Sequence, residues 1–514
     1  MSASGHPPEP STFERAAAAG RSNSVMAPLL LLTGLATTVI VARTLTTAEF
    51  AFYAAVIALR SLVGYLGDLG TGAAASQTFA QLQARGAGQQ ARRLFSRLLL
   101  LRLPLLALVA IVLLAFPDAV GSALSLAPDE RALLPLLAAI AAVEILGPLG
   151  AYVLLGTFQH AQRNRVALVA AIAQPAAIVA AGLLHAGLRG IVVAVLLGSL
   201  LRCGGFLITA VQAIRMIAHS GPPIAGLAGT YLRVAGASVL GKLAAVLHQR
   251  QVLTFVGLSA FGRVDLAAFA LAYDFAQQAL TAAATPVLSL LTPSLSAVSG
   301  DRAVTERAYR FLTRLLSIVV LPLACALTAV VPTLMPAVFG ASFEHAVLYG
   351  LIFLPAFALE IVLLGPATAL MLADNELLPA YRRVKYWTIA AAILYLPVIA
   401  WSLLAAAVLM MTVRVLSAIW MQLLVRHHTG MSAFDGWLAP VVATAAAAGA
   451  SAGALTLWLP ATLPSLALAL IGSLVAAVLT ARFSGLVEDG DIKLTERAMP
   501  VMVRPLRLMQ RPPA

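Results

Sequence analysis

Charge is scarce in this sequence. Only 11% of its 514 residues are Asp, Glu, Lys or Arg, against 61% hydrophobic residues and a mean hydropathy of +0.93. That leaves too little polar surface to cover a water-soluble globule. Cysteine is nearly missing as well: Cys203 and Cys325 both lie inside apolar runs, which excludes a disulfide framework and any Cys-based metal site. There is no nucleotide-binding P-loop and no H-E-x-x-H pattern. The eight histidines are scattered, and the adjacent His427 and His428 fall at a helix end, where headgroups are the natural neighbour. No catalytic or metal site is expected, and the chain does not read as an enzyme. Long loops are missing too; the longest outer connection, around Pro117 to Arg131, has no room for an independent domain.

What is present is a succession of apolar runs, each near the roughly 20 residues that a membrane-spanning helix needs. They predict an all-α polytopic membrane protein of about fourteen transmembrane helices. The expected spans are 25–43, 50–70, 97–116, 132–156, 165–187, 190–213, 236–258, 264–290, 311–335, 347–372, 384–402, 404–426, 437–459 and 463–481. Residues 1–24 read as a disordered cytoplasmic tail and 25–216 as an N-terminal six-helix lobe. A cytoplasmic linker at 217–235, containing Gly221-Pro222-Pro223, leads to a C-terminal six-helix lobe at 236–430. Two additional helices follow within 431–482, then a basic cytoplasmic tail at 483–514. No A-x-A cleavage pattern follows the first run, so it reads as a retained helix rather than a signal peptide.

The net charge of +13 is explained by topology rather than by nucleic acid. Lys and Arg gather at Arg85, Arg92, Arg93 and Arg97, at Arg302, Arg307, Arg310 and Arg314, at Arg382, Arg383 and Lys385, and in the C-terminal tail; the opposite connections hold Arg43, Arg131, Arg189 and Arg263. That asymmetry places both termini in the cytoplasm. Anionic membrane lipids are the expected partner of the basic loops.

Two halves can be laid on each other at an offset of about 216 residues, the distance from Glu144 to Glu360. Arg93-Leu94-Phe95-Ser96-Arg97 matches Arg310-Phe311-Leu312-Thr313-Arg314, Pro104 matches Pro322, and the run leading to Arg202 matches the run leading to Arg414. In both halves the carboxylate precedes a Gly-Pro step, Gly147-Pro148 and Gly365-Pro366. Six helices separate matched elements, an even number, so this is a parallel repeat of the kind found in transporters that rock two bundles about a central site.

Charges inside these runs are costly, by roughly 2.5–3.5 kcal/mol each on insertion scales, and carry the functional expectation. They are Arg60, Glu144, Arg202, Lys242, Arg250, Asp274, Glu360 and Arg414, five cations against three anions. Glu144 with Arg202, and Glu360 with Arg414, are either structural pairs that neutralise each other or sites of H⁺ or Na⁺ uptake during transport. Arg60, Lys242 and Arg250 have no matched carboxylate. The seventh run, with Lys242, His248, Gln249, Arg250 and Gln251, is too polar to face lipid all round. Either Lys242 and Arg250 snorkel to the headgroups, or they line a cationic cavity suited to a diphosphate, with Asp274 holding one of the cations when the site is empty.

The segments Leu45-Thr46-Thr47-Ala48-Glu49-Phe50-Ala51-Phe52-Tyr53, Asp68-Leu69-Gly70, Phe339-Gly340-Ala341-Ser342-Phe343-Glu344-His345-Ala346 and Leu372-Ala373-Asp374-Asn375 resemble those of the polysaccharide biosynthesis, or Wzx-type, oligosaccharide flippases. That family lies in the MOP superfamily, with the multidrug and toxin extrusion transporters. Ala51 stands where the family usually has Gly. The resemblance covers most of the first twelve helices and implies alternating access in a V-shaped cavity between two lobes. It further implies that a polyprenyl-diphosphate-linked oligosaccharide is moved from the cytoplasmic to the outer leaflet of the bacterial inner membrane for surface or exopolysaccharide synthesis, beside other polysaccharide assembly proteins. On this expectation Arg60, Lys242 and Arg250 contact the headgroup, while Glu144, Glu360, Asp274, Arg202 and Arg414 serve coupling or charge balance. No cofactor is expected beyond a coupling H⁺ or Na⁺. The competing expectations are a cation-coupled multidrug exporter, which should prefer an acidic cavity, and a membrane glycan polymerase or ligase, which should need a sizeable outer loop.

Overall fold

A computed structural model of the protein describes residues 33–487, apart from 69–70, 219–220, 223, 225, 248–249, 299–301, 374–376, 400 and 435, together with residues 506–510. The expected tail 1–24, most of the basic tail, Leu69-Gly70, His248, Gln249 and Asp374-Asn375 lie outside the described residues.

Leu- and Ala-rich runs favour helix, and in lipid a helix satisfies its own backbone polar groups. The described chain is accordingly helical, without a β-strand among the described residues. The first half holds α1 (33–44), α2 (Thr47–Asp68), α3 (Thr71–Ala84), α4 (Gly88–Leu100), α5 (Leu103–Ala115), α6 (Pro117–Ala123), α7 (Pro128–Arg131), α8 (Leu134–Leu146), α9 (Pro148–Gly156), α10 (His160–Leu183) and α11 (Gly187–Met216). The second holds α12 (Leu227–Leu247), α13 (Arg250–Ala260), α14 (Arg263–Val298), α15 (Arg302–Phe339), α16 (Ala346–Ala373), α17 (Leu378–Ile399) and α18 (Leu403–Thr429), followed by α19 (Leu438–Trp458) and α20 (Leu463–Phe483). Ten stretches among the described residues are long and apolar enough to cross a membrane. The protein is a multi-pass membrane protein. The remaining expected spans fall on α1, described from residue 33 only, on α12 with α13, on α14 and on α17, whose described residues are not among those ten stretches.

Several helices run past their hydropathy limits. α15 begins at Arg302 rather than 311, α14 continues to Val298, and α12 starts at Leu227, inside the stretch read as linker. Apolar length marks the hydrocarbon layer, whereas a helix continues beyond it wherever propensity and packing allow.

The two halves pack alike. α8 meets α2, α5 and α11, while α16 meets α14, α15 and α18; α10 lies on α11 as α17 lies on α18. The Gly-Pro steps behave differently. Gly147-Pro148 separates α8 from α9, and buried Arg102 fills the break by donating from Nη1 to the carbonyls of Ile145 (3.0 Å) and Leu146 (3.3 Å). Gly365-Pro366 lies within a continuous α16, where Gln422 Nε2 donates to Leu363 O at 2.7 Å and is itself held by the Tyr309 hydroxyl. A proline removes one backbone donor from a helix; a different polar side chain serves the nearby carbonyls in each half.

The halves meet where α2 packs on α13 and α14, and α3 on α12. At one end Arg43 donates to the carbonyls of Ala337 (2.6 Å) and Val338 (3.0 Å), Phe50 meets Phe343 edge-on at 5.1 Å, and Arg263 pairs with Glu130. The connection between the halves is docked on the first. Gly88 N–H donates to Ala218 O, Gly221 N–H to Gly86 O, and the Gln90 amide both donates to Ile224 O and accepts from Ile224 N–H. Helices α19 and α20 pack on each other and on α15, away from this interface.

Candidate functional site

Of the charges singled out in the sequence, Arg202, Asp274, Glu360 and Arg414 lie 11 to 14 residues inside the nearest end of their helices, Arg60 lies 8 and Lys242 5, whereas Glu144 stands just before the α8–α9 break and Arg250 begins α13. At 1.5 Å per residue, 11 to 14 residues are about 16–21 Å, deep inside a bilayer. Six of the eight charges gather in the first half or at the interface; Glu360 and Arg414 form a separate pair in the second.

Glu144, 2% exposed, is the hub. Arg60 Nε donates to its Oε1 at 2.8 Å, Arg202 Nη2 donates to both oxygens at 2.7 Å, and the Ser199 hydroxyl donates to Oε1 at 2.7 Å. Arg60, expected to stand alone, therefore joins the Glu144–Arg202 pair, and two guanidinium groups share one carboxylate. Arg60 also reaches Gln174 Oε1 at 3.3 Å. Gln174 fits there because Gly198 faces it: a Cβ at position 198 would collide with the Gln174 side chain. α2 can approach α8 this closely because Gly67 lies against the backbone of Ile145, where a Cβ would come within 3.0 Å.

A second hub was missed by counting charges within apolar runs. Asp68, almost fully buried, takes Lys242 Nζ at 2.9 Å, the Tyr152 hydroxyl at 3.1 Å and the Gly72 N–H at 2.6 Å. Lys242 also lies over the Tyr65 ring, 5.7 Å from its centre. The available signal was spacing: Arg60, Gly64 and Asp68 recur every four residues and so share one face of α2. Arg102 was missed too, because it sits at the start of an apolar run beside Pro104.

Arg250 Nη2 donates to Asp274 Oδ2 at 2.6 Å, and the two form an ion pair. Arg250 is 3% exposed, and among the described residues its Nη1 has no hydrogen-bond partner. A buried guanidinium N–H without an acceptor is costly. In the second half Arg414 Nε donates to Glu360 Oε2 at 2.8 Å and Nη1 to the Tyr273 hydroxyl at 2.9 Å, with the guanidinium 4.9 Å above the Phe357 ring. This pair is matched one to one, unlike the trio around Glu144.

Two cavities adjoin the trio. One of about 350 Å³ is lined by Tyr53, Arg60, Gln174, Arg202, Asp274 and Gln278; the other, of about 410 Å³, by Arg60, Tyr65, Asp68, Tyr152, Arg202 and Lys242. Arg60 and Arg202 border both. Arrangements of this kind, with guanidinium and ammonium groups, tyrosine and glutamine around open space, suit a bidentate anion such as a diphosphate next to hydroxyl-rich groups. Among the described residues no group of three or more His, Cys, Asp or Glu is placed to hold a metal ion.

The family model described as polysaccharide biosynthesis protein matches residues 40–348, more than half of the chain. The chain belongs to that family. The match runs through both hubs, from α1 to the start of α16. Among solved structures, the chain is similar to the lipid II flippase MurJ in an inward closed conformation, with a TM-score of 0.66 at 13% identity over 90% of this chain and 98% of that one. It is similar to an inward-facing multidrug resistance MATE family transporter of the MOP superfamily, with a TM-score of 0.58 at 17% identity over 80% and 98%. A MATE transporter in a straight conformation aligns with a TM-score of 0.53 at 17% identity over 81% and 96%. At these identities the chain's likeness to MurJ and MATE proteins establishes the all-α transporter fold. No curated protein sequence matches the chain.

Proposed function

We propose that the protein is a lipid-linked oligosaccharide flippase of polysaccharide biosynthesis, turning a polyprenyl-diphosphate-linked glycan from the cytoplasmic to the outer leaflet of the bacterial inner membrane, with both termini in the cytoplasm. The observation that carries the reading is the unbalanced trio: two arginines on one buried carboxylate, bordering both cavities. A surplus cation at membrane depth needs an anionic partner, and a diphosphate supplies one that the rest of the substrate leaves in place.

In this reading Arg60, Lys242 and Arg250 contact the diphosphate, and Arg202 assists from the far side of Glu144. Glu144 and Glu360 balance charge, since each already accepts from a guanidinium. The coupling ion, H⁺ or Na⁺, is exchanged at Asp274, which is a quarter exposed and faces the cavity. The glycan's sugars fill the polar cavities while the polyprenyl chain stays in the bilayer. The chain works as a transporter and not as an enzyme, beside other polysaccharide assembly proteins.

The test is export in a deletion strain complemented with wild type, Lys242→Ala, Arg250→Ala or the Glu144→Gln/Glu360→Gln pair, with the lipid-linked intermediate assayed in parallel. Loss of surface polysaccharide with lipid-linked glycan accumulating inside is the expected result. Normal export and normal intermediates in the deletion itself would overturn the reading, and efflux of a cationic dye would then test a drug exporter of the same fold.

A further inference from the structure

The basic clusters of the two halves have different fates. In the second half Arg310 pairs with Glu306 and donates to Ser432 O at 3.0 Å, and Arg302 donates to Thr429 O, so both are spent on the protein around the end of α18. In the first half Arg92, Arg93 and Arg97 on α4 are exposed, and no hydrogen bond or ion pair holds them among the described residues. α4 buries its opposite face, Gly88, Ala91, Phe95 and Leu98, against the lobe.

The stripe that carries these charges continues. Arg93, Arg97, Leu100, Leu101, Leu108 and Val112 follow the spacing that keeps residues on one side of a helix. The residues joining α4 to α5, Leu101 and Arg102, keep right-handed helical backbone angles, so the stripe is carried across the join. Its leucines and valine are among the more exposed large apolar side chains, from 63% at Leu101 to 42% at Val112. One continuous face thus passes from free guanidinium groups to bare hydrocarbon over about two turns, the polarity profile of a phospholipid read from headgroup to acyl chain.

We propose that this face is a binding site for an anionic phospholipid, its phosphate held by Arg93 and Arg97 with Arg92 beside them and its acyl chains lying along Leu100 to Val112. An acidic protein would complement the arginines but not the apolar continuation. The bound lipid fixes the depth of the first lobe at the membrane surface, on the side of α4 away from α3 and the cavities. This inference does not depend on the transported substrate.

Native mass spectrometry of the full-length detergent-solubilised protein tests it, titrated with phosphatidylglycerol or with phosphatidylcholine. Wild type is expected to retain phosphatidylglycerol in preference to phosphatidylcholine. The triple variant Arg92→Gln/Arg93→Gln/Arg97→Gln is expected to bind phosphatidylglycerol about tenfold or more weakly, since each basic group near a membrane surface contributes appreciably. The charge-keeping triple Arg92→Lys/Arg93→Lys/Arg97→Lys should hold most of it, which separates lost charge from a disturbed fold. Equal retention by wild type and the Gln triple, or equal loss in the Gln and Lys triples, overturns the proposal. So does a photo-crosslinker at position 93 that, in native membranes, captures protein instead of lipid.

Discussion

The ammonium of Lys242 lies 2.9 Å from Asp68 Oδ2, joining α12 of the second half to the end of α2 in the first. Asp68 keeps its other two donors, Tyr152 and Gly72, when Lys242 is removed. Lys242→Ala is therefore expected to cost about 1–3 kcal/mol, at the lower end for a buried carboxylate losing its cation. Exchanging the charges, Asp68→Lys with Lys242→Asp, should recover only part of it, because the Gly72 N–H then faces an ammonium. Thermal unfolding in detergent, with both single variants and the exchange, measures the coupling; additive single effects would show that the contact contributes nothing.

Arg60→Gln separates folding from binding. It leaves Glu144 with Arg202 alone, the same one-to-one pairing seen for Glu360 and Arg414. Stability should change by less than about 1 kcal/mol, while affinity for a polyprenyl diphosphate should fall about tenfold to a hundredfold, the size of one charge-assisted hydrogen bond. Parallel melting curves and binding titrations check both halves of this expectation.

The two buried carboxylates should respond unequally. Glu144→Gln strands two guanidinium groups, whereas Glu360→Gln strands one that still has the Tyr273 hydroxyl and the Phe357 face. Glu144→Gln is expected to destabilise by about 3–5 kcal/mol and Glu360→Gln by clearly less. Adding Arg60→Gln to Glu144→Gln should restore part of the loss, which a thermal-shift comparison of the single and double variants reads directly.

Arg414→Lys tests geometry at constant charge. A lysine cannot reach Glu360, Tyr273 and the Phe357 ring together, because it lacks the planar fork. A loss of about 1–3 kcal/mol is expected, and a melting temperature equal to wild type would refute the three-way role of the guanidinium.

The linker contacts make a prediction about motion. Because Gln90 holds both backbone groups of Ile224, a thiol-specific cross-link between Gln90→Cys and Ile224→Cys should leave export intact. A cross-link between Asp68→Cys and Lys242→Cys should stop it, in a background with Cys203 and Cys325 replaced. Export assayed before and after cross-linking distinguishes a docked linker from one that detaches in each cycle.

Composition alone determined that this chain lives in a membrane, since its charge content cannot cover a globule. The repeat was legible as well: the offset that aligns Glu144 with Glu360 also aligns the helices that pack around them, because a duplicated pattern of apolar faces buries itself the same way twice. Helical spacing indicated which charges share a face within one helix. Which face meets which was decided only by the packing of helices far apart in the chain. Arg60 meets Glu144 across 84 residues and Arg263 meets Glu130 across 133, and Arg102 finds the carbonyls at the Gly147-Pro148 break. Those pairings depend on depth, crossing angle and the glycines that let helices approach, such as Gly67 against Ile145. One-dimensional spacing sets the direction of a side chain around its own axis, and only tertiary packing supplies the partner that stands there.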